Sequence, residues 1–499
     1  MGDVAPSANA GVEVSRRKTR NYAMYVFWVM FSINFLNYLD RNVLTGAADV
    51  VAKELHFGPD SIGFIASAFL IVYTLGTVPL GIWADRTKRK NVVAACITVW
   101  SLATAFTALA GNFITLFISR MVLGIGEAGY FPAGTALMGD YFSRTVRSRI
   151  MSWWNVGQLV GILFGFAIGG EVAGLFVGSW RLAFVFTGIP GLILAFLAWR
   201  LREPRRNEAD EEAMALNSPL ADNVIEVEVP PHSVAVSSNV LSQFRELLRI
   251  KTLVVLIAMQ VFAYFVLGVN VVFLPTFLQQ TDIFDLSAGG PSGGLIVANH
   301  HLGTYGLTSG FAGILSGVVI VVAGIAGTII GGYMADLLNR RHPGARVLVC
   351  GIGFLLSAPA FALALILHSF TLFIIFFVLT ALLITVYQGP STAATQDVVP
   401  AALRASGVAI SLLIAHLLGD ALAPSIVGVL AKAFDPTHGQ HFMNNVAGQD
   451  FSHALLITCT PALVIAGLIG IFGARWMKAD IEAAAQADRL AREGEQTRV

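Results

Sequence analysis

Apolar stretches of about 20 residues recur from Tyr22 to Lys478, and each is long enough to cross a bilayer as a helix. In hydrocarbon a backbone must satisfy its own hydrogen bonds, so such stretches can only be helices or the strands of a closed barrel. Their length favours helices. About twelve spans are predicted, over 22–47, 60–84, 91–111, 113–142, 147–174 and 180–201, then 252–281, 310–336, 346–368, 370–397, 403–431 and 452–477. Of the 499 residues, 56% are hydrophobic and 13% charged, roughly half the charge of a soluble globular chain. A mean hydropathy of +0.71 agrees. The predicted class is an all-α membrane protein of two six-helix bundles.

The basic residues are sorted by side. Arg16, Arg17, Lys18 and Arg20 precede the first span, and Arg86, Lys88, Arg89 and Lys90 follow the second. Arg144, Arg147 and Arg149 follow the fourth, Arg202, Arg205 and Arg206 the sixth, Arg340, Arg341 and Arg346 the eighth, Arg475 and Lys478 the twelfth. The other side carries little more than Lys53, Arg181 and Lys432. The positive-inside rule then predicts cytoplasmic N- and C-termini, in a cell inner (plasma) membrane. A net charge of +1 with no single basic patch gives no reason to expect nucleic acid. No apolar core precedes Arg16, so a cleaved leader is not expected. Cys96, Cys350 and Cys459 lie far apart in apolar segments and read as small buried hydrophobes, not ligands or disulfide partners. No cofactor is implied.

The predicted organisation is an N-terminal tail (1–21), a first bundle (22–202), a linker (203–251), a second bundle (252–478) and a C-terminal tail (479–499). The stretch Glu203–Asn239, rich in Asn, Asp, Glu, Pro and Ser, reads as disordered. Ser242–Lys251 reads as a short amphipathic helix on the inner membrane surface. The two bundles repeat a motif. Span two ends in Gly81-Ile-Trp-Ala-Asp85 followed by Arg86 and Arg89, and span eight ends in Gly332-Tyr-Met-Ala-Asp336 followed by Arg340. Two six-helix halves related by an axis along the membrane normal are one large transporter architecture. Gly81 permits close helix packing. Asp85, at a helix C-terminal end, is unfavourable to its own dipole and needs Arg89 or a neighbouring helix N-terminus.

These residues resemble motif A of the major facilitator superfamily, and the resemblance covers nearly the whole chain. It implies that fold, and a gating role for Gly81, Asp85, Arg86, Arg89, Gly332, Asp336 and Arg340 as a cytoplasmic latch; a state-indifferent clamp is the alternative. A monomer is expected for this architecture.

Charges at membrane depth are costly and mark ion or substrate handling. Asp40 and Arg41 lie within Asn37-Tyr38-Leu39-Asp40-Arg41 of span one, and Arg120 and Glu127 lie within span four. Seven residues separate Arg120 from Glu127, about two turns and roughly 10 Å, so both face one side. Counting from the span ends places Asp40, Arg41 and Arg120 in the outer third and Glu127 near the midplane. An Asp40–Arg120 pair is expected when the outer side is closed, with Glu127 facing the cavity. Desolvation penalises a charged carboxylate there, so Glu127 would exchange a proton. Protonation that frees Arg41 or Arg120 would shift the balance of states. A static ion-pair lattice is the alternative.

In the second bundle His416 and Asp420 are spaced i,i+4 and share a face. They suit either a second protonation site or a satisfied structural pair. Asn155, Gln158, Gln260, Asn270 and Gln388 add neutral polar groups for a substrate head group or for helix–helix hydrogen bonds. A cavity charged on its first-bundle wall and apolar on the other would suit an amphiphile, with Phe262, Tyr264, Phe273 and Phe277 taking its chain or simply packing.

Four strings together resemble the spinster family: Asn37-Tyr-Leu-Asp40-Arg41, Gly126-Glu127-Ala128, Arg202-Glu203-Pro204, and His416-Leu-Leu-Gly419-Asp420-Ala421 with Pro424. The resemblance implies proton-linked movement of lysophospholipids or sphingoid lipids, with roles for the membrane Asp, Arg and Glu matching those above. Gly129-Tyr130-Phe131-Pro132 instead resembles organic anion symporters, in which Arg41 and Arg120 would hold a small carboxylate. No Gly-x-x-x-x-Gly-Lys-[Ser/Thr] supports an ATPase, and no His-Glu-x-x-His supports a metalloprotease. His300-His301 has no evident third ligand. A membrane-embedded enzyme or a non-transporting receptor ranks below a transporter.

Overall fold

The computed structural model describes residues 7–205, 208–209, 240–285, 296–299, 304–342, 344–400, 403–437 and 439–496; at some helical positions, Asp85 among them, it describes the backbone alone. Twelve helices are long and apolar enough to cross a membrane. They are α1 (Asn21–Glu54), α2 (Pro59–Ala84), α3 (Arg89–Thr107), α4 (Phe113–Tyr141), α5 (Ile150–Ala173), α6 (Trp180–Arg200), α7 (Lys251–Leu278), α8 (Ser309–Asn339), α9 (Ala345–Ile366), α10 (Phe370–Val398), α11 (Ser406–Phe434) and α12 (Gly448–Leu490). Each coincides with one predicted span. The first helix begins at Ser7, inside the stretch read as a tail, and the last continues as helix to Gln496. The linker read as disordered falls mostly outside the described residues. A helix at Val240–Leu247 overlaps the predicted surface helix.

Between α7 and α8 the sequence reading missed a small antiparallel sheet of β1 (Phe284–Asp285), β2 (Ile296–Asn299) and β3 (Thr304–Leu307), in the order β1-β3-β2. Phe284 pairs with Tyr305, and Ile296 with Leu307. His300-His301 lies outside the described residues.

Glycines on α5 decide how the first bundle packs. Gly157, Gly161, Gly165 and Gly169 recur every four residues and therefore line one face. A Cβ at Gly161, Gly165 or Gly169 would collide with the carbonyl oxygen of Phe35, Leu39 or Val43 on α1. In lipid, where helix association rests on van der Waals contact, small residues let two backbones touch. That contact fixes the rotation of α1, and with it the direction in which Asp40 and Arg41 point.

Besides α12, which passes through a 3-10 turn at Ala474–Trp476, the spans α4, α10 and α11 are locally broken. In α4 the helix is interrupted at Gly129, three residues before Pro132, whose missing N–H cannot close the next turn. α10 is interrupted in the same way at Tyr387, before Pro390. In α11, His416–Asp420 forms a π-helical turn, closed by Ala421 N–H to the His416 carbonyl at 3.0 Å.

The two bundles meet at the face distant from the chain termini. There Gly63 of α2 lies against the backbone of Pro424 in α11, and Gly428 of α11 lies against Pro59. The Ser425 amide donates to the Ser67 hydroxyl at 3.2 Å, and Lys432 donates to Asp60 at 2.8 Å. Gly313 of α8 approaches the Phe166 carbonyl of α5. Gln280 donates to Asp49 at 3.1 Å, while Lys53 bonds both Asp49, at 2.7 Å, and Asn445 in the α11–α12 connection. At the opposite face Gly332 has nothing within 4 Å of where a Cβ would stand, and Tyr333 is exposed. The bundle pair is closed at the distal face.

Candidate transport site

The intramembrane charges converge, but not in the expected pairs. Arg41 donates to one oxygen of Glu127, from Nε at 3.1 Å and from Nη2 at 2.7 Å. The Glu127 side chain is fully buried, while 21% of the Arg41 side chain is exposed. Of the two side chains, Arg41 rather than Glu127 therefore meets open space. Its faces are covered by Tyr38, Phe69 and Tyr73, with ring centroids 5.1, 4.9 and 4.6 Å away. Guanidinium stacking of this kind favours a cation outside bulk water. The sequence reading missed all three aromatics. Tyr38 follows from its position three residues before Arg41; Phe69 and Tyr73 lie on another helix and carry no local signal.

The expected Asp40–Arg120 pair is absent. Asp40 is fully buried; no hydrogen bond of full geometry reaches either oxygen, and the groups that act on it are the Thr187 and Thr104 hydroxyls, Glu127 and Arg120. Arg120 instead donates to the Thr107 hydroxyl at 3.1 Å and lies 5.0 Å from the Phe184 ring. One residue of rotation along α1 puts Asp40 into the bundle interior and Arg41 at its edge.

Arg41 and Arg120 together line an apolar pocket of about 100 Å³ among α1, α2 and α4, closed by Val271 and Val272 of α7. A larger cavity of about 470 Å³ lies between the halves, walled by α5, α7, α8 and α10. Gln158, Asn270, Gln388 and Thr328 supply its polar edge, against Val266, Leu267, Ile320, Ile325 and Phe377. Asn270 is partly engaged with the Val266 carbonyl at 2.7 Å, and Gln388 accepts from Thr328 at 3.1 Å. Asn155 is exposed, and Gln260 lies 3.5 Å from the Ser391 hydroxyl. Phe273 and Phe277 do not reach the cavity. They are buried against Phe451 and Phe373 in the second bundle. Phe262 is half-buried at the edge of that core.

His416 and Asp420 do meet, at 2.9 Å through Nδ1, on the π-helical turn. The Tyr264 ring stands edge-on to His416 with centroids 4.5 Å apart. Turns of this type concentrate at functional sites because they re-aim side chains out of helical register.

In the repeated motif, a Cβ at Gly81 would make only ordinary contact with Pro132, at 3.7 Å, and Gly332 faces open space. The close approach in the second half lies one residue earlier, where Gly331 meets the backbone of Val386. Arg86 is exposed, Arg89 pairs with Asp140, and the Glu203 carboxylate accepts from the Arg89 and Lys90 amides at 2.8 and 3.0 Å. In the second half the partner of Asp336 is Arg346, at 3.4 Å, not the exposed Arg340. Arg346 also pairs with Asp397, so Arg346–Asp397 repeats Arg89–Asp140. The side chain of Asp85 lies outside the described residues.

Away from the bundle interior, Asp435, His441 and Asp450 approach within 4.8 Å of one another, a grouping with metal-ligand chemistry. Asp435 already accepts four bonds, from the Thr437 amide and hydroxyl and from the Gly439 and His441 amides. Its lone pairs are spent, and the triad reads as a capped turn.

Residues 30–300, more than half of the chain, match the family described as Major Facilitator Superfamily. Protein spinster homolog 1 of Xenopus laevis is 24% identical over 451 residues, covering 89% of this chain and 78% of that protein. Protein spinster of Drosophila melanogaster is 25% identical over 409 residues, covering 81% and 61%. The sphingosine-1-phosphate transporter SPNS2 of Danio rerio is 24% identical over 474 residues, covering 92% and 86%. The crystal structure of a bacterial homolog to the human lysosomal transporter Spinster, inward-facing and unoccupied, matches with a TM-score of 0.76 at 24% identity over 92% of this chain and 98% of that one. A D-xylose-proton symporter matches at 0.59 and 15%, over 91% and 97%. These relatives are transporters, not enzymes. The chain belongs to the Major Facilitator Superfamily as a spinster-like, multi-pass membrane transporter that works by alternating access.

Proposed function

We propose that this protein couples protons to the movement of an amphiphilic lipid, a lysophospholipid or sphingoid lipid, across a plasma membrane, as a monomer with both termini cytoplasmic. The sorting of Lys and Arg supports that orientation. Closure at the distal face then corresponds to the inward-facing state.

One observation carries the reading: a partly exposed Arg41 is held on one oxygen of a fully buried Glu127 at the edge of a mainly apolar pocket. A proton taken up by Glu127 neutralises the acceptor and loosens Arg41, which is then free to take an anionic head group. Asp40, fully buried beside the Thr104 and Thr187 hydroxyls, is the second acid of the same bundle, and Arg120 its nearby cation. His416 and Asp420 offer a further exchange site on the opposite bundle. The aliphatic walls of the larger cavity, edged by Gln158, Asn270 and Gln388, suit a lipid chain. Tyr264, edge-on to His416, stands on that same side. Spinster relatives that include a sphingosine-1-phosphate transporter support the lipid class. The motif residues Gly81, Asp85, Arg86, Arg89, Gly332, Asp336 and Arg340 act as the latch at the termini face in the opposite state.

A second reading rests on two guanidiniums, Arg41 and Arg120, lining one pocket: symport of a small organic anion. Proteoliposome uptake under an imposed pH gradient separates them. Lysophospholipid, sphingoid phosphate and a small carboxylate are offered in parallel. Gradient-driven lipid uptake lost in Glu127→Gln supports the first reading, and uptake of the carboxylate alone transfers the claim to the second.

A further inference from the structure

The interior of the first bundle carries a stripe of hydroxyls that its packing does not call for. Ser101, Thr104 and Thr107 are fully buried and three residues apart along α3, so they share a face. Thr187 of α6 is buried opposite. The hydroxyls of Ser101 and Thr104, both oxygens of Asp40 and Nε of Arg120 make no hydrogen bond of full geometry, and the Thr104 and Thr187 hydroxyls are the polar groups beside Asp40. Each such group costs about 1–3 kcal/mol in a dry interior, and valine would fill the space of threonine without that cost. The hydroxyls therefore answer to something other than volume.

We infer that Thr104 and Thr187 are positioning residues for Asp40, serving its carboxyl group in both protonation states. This rests on the proton-coupled reading above and extends it to residues with no charge of their own. A hydroxyl can donate to a carboxylate and accept from a carboxylic acid, whereas a guanidinium can only donate. Around Asp40, α4 supplies Arg120 and Glu127, its own helix supplies Arg41, and α3 and α6 supply the hydroxyls of Thr104 and Thr187. Arg41 is committed to Glu127 and Arg120 to Thr107. The two threonines are thus the neighbours able to follow the proton. When Asp40 loses its proton, their O–H groups turn to donate to the new carboxylate.

The test pairs Thr104→Val/Thr187→Val with Thr104→Ser/Thr187→Ser. Gradient-driven uptake across a pH series and counterflow at matched pH are both measured in proteoliposomes. In detergent, the carboxyl C=O band of Asp40, identified by its loss in Asp40→Asn, is followed by infrared difference spectroscopy. The valine pair should move the pH profile and the Asp40 band titration upward by about one unit, because donors to the charged form are gone. Counterflow should persist, and the serine pair should restore both curves. An Asp40 band that titrates identically in wild type and valine protein overturns the inference, as does a serine pair that behaves like valine. If wild-type uptake ignores the gradient, proton coupling is wrong, and the band titration still decides the role of the threonines.

Discussion

Arg41 places two N–H donors, from Nε and Nη2, on a single oxygen of Glu127 and makes no bond to the second oxygen. A structural ion pair gains most from a two-oxygen fork. Here half of the carboxylate is left for a proton, whose arrival weakens the one-oxygen hold on Arg41.

Glu127→Gln keeps the shape and an acceptor for Arg41 but cannot titrate. Uptake should lose its dependence on the pH gradient while substrate exchange at equal pH survives. Retained gradient dependence would remove Glu127 from the coupling. Arg41→Ala is the harsher change, because it strands a buried carboxylate; removing one partner of such a pair costs about 3–5 kcal/mol. Its melting temperature in detergent should fall well below that of Glu127→Gln.

Arg120→Ala should disturb transport far more than Arg404→Ala. Arg120 is buried on Thr107 and Phe184, whereas Arg404 is half exposed and reaches Asp488 only at 3.9 Å. Uptake rates of the two variants at equal expression are the measurement. Equal losses would favour a purely structural role for Arg120.

Lys53→Met should release the distal face. The ammonium joins Asp49 of the first bundle to Asn445 of the second, and a charged hydrogen bond contributes about 1.5–3 kcal/mol. Its loss shifts the balance of states by roughly 10- to 100-fold toward distal opening. Spin labels at the exposed Leu109 and Leu367 should report a longer distance population in the variant. An unchanged distribution assigns the closure to the α2–α11 and α5–α8 contacts and the Gln280–Asp49 bond.

Gly161→Leu should be destabilised far beyond the control Gly324→Ala. The first drives a side chain into the Phe35 carbonyl; the second meets nothing within 4 Å. Overpacking typically costs about 1–3 kcal/mol, and backbone has little room to yield. Thermal unfolding in detergent compares them.

Asp435 supplies an acid-sensitive element of the α11–α12 connection. Burial alone would push its carboxyl up, but the Thr437 hydroxyl and the Thr437 and Gly439 amides together hold it below the usual carboxylate range. A carboxyl lowered in the folded state stabilises fully above its unfolded value, near 4, and loses that contribution as pH falls through the lowered one. The melting-temperature gap between wild type and Asp435→Asn should therefore be widest near neutral pH and close on acidification. A gap independent of pH removes the charge from the account.

Much was written locally. Span positions follow from apolar runs, and the repeat from Gly81–Asp85 and Gly332–Asp336. The α5 stripe from Gly157 to Gly169 was legible in principle, since small residues four apart mark a helix contact. Partner choice was not legible. Depth along a helix can be counted from its ends, which put Asp40, Arg41, Arg120 and Glu127 within reach of one another. Which of them face each other depends on helix rotation, set by collisions such as Gly161 against Phe35.

By itself the sequence determined a twelve-span, two-bundle membrane chain with its charges gathered in the first bundle, because transfer of side chains into lipid is decided residue by residue. Only the tertiary structure decided that Arg41 takes Glu127, that Asp40 turns inward among hydroxyls, and that the distal face is the closed one. Those outcomes depend on how whole helices rotate and lean against one another, which is a property of interlocking surfaces far apart in the chain.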